Sequence, residues 1–117
     1  MRVISYRHEG VPGVGVMVTD TEFVALAAAA PELPDTLRAI LEVDPDLARV
    51  KAATDGRPAD MSVVQITFDP VIPDPHATWA VALNYKLHIQ ETGLTTSTEY
   101  PQVFLRMPVC QVGHNHA

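Results

Sequence analysis

Two side chains three residues apart, His88 and Glu91, are the best placed in this chain, by type and spacing, to do chemistry. They fall in Asn84-Tyr85-Lys86-Leu87-His88-Ile89-Gln90-Glu91, after an apolar run, Trp79 to Leu83, that reads as a buried strand. The stretch stops at Thr92-Gly93, a helix-ending pair. Asn84 can cap a short helix here by accepting one of its first open N–H groups. On such a helix residues i and i+3 share a face, so the Glu91 carboxylate can fix the His88 tautomer and support its cationic form. A general base near neutral pH needs that support. The pair alone also suits a solvated surface, and the flanking residues tip the reading toward chemistry.

Those flanking residues form three pieces in order: Asn84-Tyr85-x-x-His88-x-x-Glu91, then Tyr100-Pro101-x-x-Phe104-Leu105-Arg106-x-Pro108, then Gln111-Val112-Gly113. In order and spacing, across residues 70–114, they resemble the fumarylacetoacetate hydrolase family, and the segment before them looks like that family's small N-terminal region. The resemblance implies a dyad in which His88 and Glu91 orient and deprotonate a water. That water attacks a carbonyl carbon of a 1,3-diketo acid or acylpyruvate, and a carbon–carbon bond breaks. Decarboxylation and isomerisation are reactions the same resemblance allows. It implies that Arg106 holds the substrate carboxylate or an oxyanion, as a fixed cation can, and that Tyr85 either donates a hydrogen bond at the pocket rim or packs on the Trp79 strand. Mg²⁺ or Mn²⁺ is implied for the complete enzyme, to spread the negative charge of the leaving group.

This chain departs from the family pattern in places. Ala82 stands where many members have glycine, and Val109-Cys110 where many have two small hydroxyl residues. The family's acidic metal ligands lie beyond the Gly113 region, where this sequence has only His114-Asn115-His116-Ala117. The expectation is therefore an N-terminal part of such an enzyme, without a metal bound by this chain and inactive alone. The alternative is a non-catalytic binding or assembly module, or a split subunit, that has lost the metal site. Cys110 lacks a neighbour that would lower its pKa and is not read as a nucleophile.

Composition narrows the remaining classes. With 47% hydrophobic and 19% charged residues the 117-residue chain is globular, with a modest core. Fourteen acidic against eight scattered basic residues, a net charge of −6, argue against nucleic acid as a partner. One cysteine excludes an internal disulfide, and the run Ala25 to Ala30 is far too short to cross a bilayer. A cytoplasmic protein with no membrane partner is expected.

The elements that must position the dyad begin with strands at 3–7, 14–19 and 23–26, with Val14, Val16 and Val18 on one face. Gly10, Gly13 and Gly15 read as turn glycines, because no helix starts behind them to receive a phosphate. Pro34-Asp35 is expected to open one helix, with Leu37, Ile40 and Leu41 inward. Asp44-Pro45 is expected to open another, with Asp44 as cap and Pro45 at its first position. Residues 62–68 read as a strand with Val64, Ile66 and Phe68 on one face.

The expected fold class is α+β: a small antiparallel sheet with two helices over residues 1–69, a Pro-rich linker at 70–75, and the opening strand-helix-strand of a catalytic domain at 76–117. The apolar stretches 79–83 and 103–107 have little chain left to cover them. A homodimer, or association with the remainder of the catalytic domain, is expected through them.

Overall fold

The alternating apolar residues of the first segment fold as a meander in which each strand pairs with the next. A computed structural model of the chain describes residues 1–82, 90, 91, 93 and 100–115. Strand β1 (Val3–His8) pairs antiparallel with β2 (Val11–Met17), and β2 with β3 (Glu22–Ala25). The β1–β2 turn is only Glu9-Gly10, both at positive φ (51° and 82°), as a two-residue hairpin turn with the twist of its strands requires. Val11, Pro12 and Gly13, expected in a loop, therefore belong to β2. The Met17 N–H bonds back to Arg2 beside β1, whereas the Val18 N–H bonds to Glu22 beside β3. By alternation the nitrogen of Pro12 faces the β3 side, where pairing begins only at Gly15, so its missing N–H costs no ladder bond.

Residues 62–68 do not form one strand. They split into β4 (Met61–Ser62), a 3₁₀ turn at Val63–Gln65 and β5 (Thr67–Phe68). The Ser62 N–H donates to Gln65 Oε1 at 2.9 Å, and the Ser62 side chain accepts in return, a capping box that starts the turn. Val64, expected inward, is 86% exposed. The sheet order is β4-β3-β2-β1-β5, so β4 and β5 occupy opposite edges although only four residues separate them. In a flat sheet those edges would stand about 19 Å apart. Five residue steps span at most about 18 Å when fully extended, and the 3₁₀ turn shortens them further. The sheet is consequently curled, and the fold of this unit is mixed α+β.

Each face of the curl has its own core. On the helical side Val14 and Val16 pack with Leu26, Ala30, Leu33, Leu37, Ile40 and Val50. Inside the curl Tyr6, Phe23 and Ala25 meet Met61, Val63 and Ile66 of the closing segment. Gly13 and Gly15 are strand residues rather than turn glycines. A Cβ at Gly13 would lie 2.7 Å from the Tyr6 ring, and one at Gly15 would lie 2.5 Å from the Phe23 ring. Their lack of a side chain gives the two rings, 5.0 Å apart, their seats. Val18, expected beside Val14 and Val16, lies past the end of β2 and is exposed.

Helix α1 (Leu26–Ala29) follows β3 directly and takes Leu26 out of the expected strand. Helix α2 (Leu37–Val43) starts later than Pro34-Asp35, because Thr36 supplies the cap by accepting from the Ala39 N–H. Helix α3 (Ala48–Thr54) starts at Ala48, so Pro45 is not its first residue. Residues 44–47 form a turn, closed by the Leu47 N–H on the Asp44 carbonyl, with Leu47 at φ 56°. Asp44 does cap α3, from upstream: its carboxylate accepts the N–H groups of Arg49 and Val50. Burial alone would push the Asp44 carboxyl up, but the backbone N–H groups of Val50, Arg49 and Ala48 hold it below its usual value.

Residues 70–75 are fastened to this first unit. The Ser5 hydroxyl donates to the Val71 carbonyl at 2.7 Å, and Asp74 accepts from Arg38 at 3.0 Å. Two compact units result: residues 1–75 with 111–117, and residues 76–110. In the second, β6 (Thr78–Ala82) and β7 (Gln102–Arg106) form an antiparallel pair, and a 3₁₀ turn follows at Pro108–Cys110. β6, expected to be buried, leaves Trp79 68% exposed. Among the described residues no helix is long and apolar enough to cross a membrane.

Candidate functional site

The β6–β7 register decides which residues Arg106 can work with. Thr78 pairs with Arg106, Ala80 with Phe104 and Ala82 with Gln102, so these six share one face of the ribbon. Trp79, Val81, Val103 and Leu105 share the other. Arg106 therefore stands on the face that carries Thr78, Ala80, Ala82 and Gln102 together with one bulky ring, Phe104. The opposite face is wholly apolar. Arg106 is exposed at the end of β7.

Of the other expected site residues, Glu91 is helical and exposed, whereas His88 and Tyr85 lie outside the described residues. The 83–101 connection leaves the ribbon at Ala82 and rejoins at Gln102. Arg106 sits four residues further along β7, about 13 Å away at strand rise.

The metal that the resemblance implies does not fit the donors described. Among the described residues no group of three His, Cys, Asp or Glu side chains is arranged to hold an ion. His114 meets the Phe68 ring edge to face at 5.6 Å. Cys110 is exposed. Tyr6 is raised above its usual value by burial and then by the Asp60 charge, and its hydroxyl rests 3.7 Å from Met61 Sδ. It is a core residue.

The first unit carries a feature that sequence reasoning missed, a cleft of about 370 Å³. Its walls come from β1, from the segment after β5, and from Val112 to His114. Gly113 lies so close on Phe68 that a Cβ would run into the Phe68 carbonyl. Arg2 and His114 come from opposite ends of the sequence, and no spacing rule joins them. Gly113, between Val112 and His114, was the only local signal.

No protein-family model matches the chain, and no curated protein matches it.

Proposed function

We propose that the second unit carries part of a fumarylacetoacetate hydrolase-like active site acting on a 1,3-diketo acid or acylpyruvate. His88, oriented by Glu91, takes a proton from a water whose oxygen attacks the acyl carbonyl carbon. The carbon–carbon bond then breaks, with hydroxyl going to the acyl carbon and the proton to the departing carbon. Arg106 holds the substrate carboxylate by paired N–H donors, and Tyr85 lines the rim. The observation that carries this reading is the placement of Arg106 on one face of the ribbon with Thr78, Ala80 and Ala82, beside Gln102 and Phe104. The sequence pieces around His88 and Arg106 support it. Decarboxylation and isomerisation use the same carboxylate anchor and differ in whether water is consumed. The implied Mg²⁺ or Mn²⁺ would need donors other than those described here, and the 117-residue chain alone is expected to be silent. A cytoplasmic setting accords with the single cysteine.

The test is turnover of an acylpyruvate by the assembled enzyme. His88→Ala should lower it by about 10²–10⁴-fold with the fold intact, and Arg106→Ala should chiefly raise KM. Wild-type turnover in the His88 variant would overturn the assignment.

A second reading, an assembly module that pairs as a homodimer or with the remainder of a catalytic domain, is favoured by the opposite face of the ribbon. There Trp79 is 68% exposed, Leu105 59%, Val103 50% and Val81 49%. Trp79→Ser should abolish concentration-dependent association in light scattering. Unchanged association would remove this face from the interface.

A further inference from the structure

We infer that the cleft of the first unit binds a small organic monocarboxylate with an apolar body, held by the Arg2 guanidinium and the His114 imidazole. This site uses none of the residues assigned to the reaction at His88. Ile4, Met17, Phe68, Val71 and Val112 supply apolar walls, and about 370 Å³ lies at the lower end of small-molecule sites. Apolar walls with few convergent polar groups suit a ligand that is apolar except at one end.

The polar groups select an anion for that end. Arg2 spends only Nη2 on the protein, donating to the Thr19 carbonyl and to Asp20 at 2.9 Å each. Its Nη1 and Nε donors make no hydrogen bond among the described residues. The Asp20 side chain is 92% exposed, so this ion pair is screened by water and yields readily to a ligand carboxylate. Asp69, the other acid in the wall, is only 15% exposed; its Oδ1 accepts from Arg7 Nε at 3.1 Å, and its buried Oδ2 has no hydrogen-bond partner among the described residues. Arg2 and Arg7 thus balance Asp20 and Asp69. His114 adds an N–H donor whichever way its ring is protonated. A cationic ligand would find both wall carboxylates paired with an arginine, Asp20 with Arg2 and Asp69 with Arg7. The Ser5 hydroxyl is spent on the Val71 carbonyl and plays no part. The close seat of Gly113 on Phe68 fixes the wall that presents His114.

The experiment is an NMR titration of the whole isotope-labelled chain with 3-phenylpropanoate and, in parallel, with the neutral 3-phenylpropan-1-ol. The acid should saturably shift the amide signals of Ile4, Met17, Val112 and His114, and the alcohol should bind about tenfold more weakly or worse. Arg2→Gln, at an exposed position that leaves the spectrum dispersed, should lower the acid's affinity about tenfold. His114→Ala should lower it several-fold. Equal affinity for acid and alcohol, an Arg2→Gln variant that binds the acid unchanged, or shifts confined to other parts of the chain would overturn the inference.

Discussion

Asp44 is 4% exposed, yet it keeps its charge because backbone N–H groups at the start of α3 converge on it. Its folded pKa lies below the 3.8 of an unconstrained carboxyl. Its contribution to stability is therefore complete above the unfolded value and is lost as pH falls through the folded one. Asp44→Asn should make urea midpoints less dependent on pH on the acid side, and an acid limb as steep as wild type would contradict this. Gly15 is constrained by shape instead. Gly15→Ala pushes a methyl into the fully buried Phe23 ring and should cost about 1–3 kcal/mol in urea unfolding. Asp44 was legible as a helix cap from the sequence, since Asp-Pro before an apolar helix is a local signal. Gly15 was not legible, because the ring it accommodates arrives from β3. For the candidate site, the types and spacing of His88, Glu91 and Arg106 could be read, but the face on which Arg106 stands follows from its pairing with Thr78.

At the scale of elements, the β1–β2–β3 meander and both longer helices were readable from apolar periodicity, with starts misplaced by a few residues. Thr36 rather than Asp35 caps α2, a choice settled by how Leu37 and Ile40 must face Val14 and Val16. Ile40 is wholly buried in that cluster. Ile40→Ala should therefore destabilise the first unit by about 2–5 kcal/mol, measured by chemical denaturation. A smaller loss would mean that the helices collapse onto the cavity. Residues 62–68 misled because Val64, Ile66 and Phe68 alternate like a strand. The Ser62–Gln65 capping box and the two separated sheet edges override that alternation. Periodicity reports a local preference, whereas the choice of edge is made by tertiary pairing.

At the scale of the whole molecule, the chain divides into two compact units. The first builds its own two cores and a cleft, and takes in residues 111–115 at its surface. The second presents a ribbon with a mixed face bearing Arg106, Thr78, Ala80 and Phe104 and an apolar face bearing Trp79. The proposed carbon–carbon hydrolysis belongs to the second unit and depends on His88 working with Arg106. It is tested most directly by cleaving an acylpyruvate with the assembled enzyme in ¹⁸O-labelled water and weighing the products. The account predicts one labelled oxygen in the acid released from the acyl carbon, formed at a rate that collapses in His88→Ala. Products without label, or labelled product formed as fast by His88→Ala as by wild type, would contradict it.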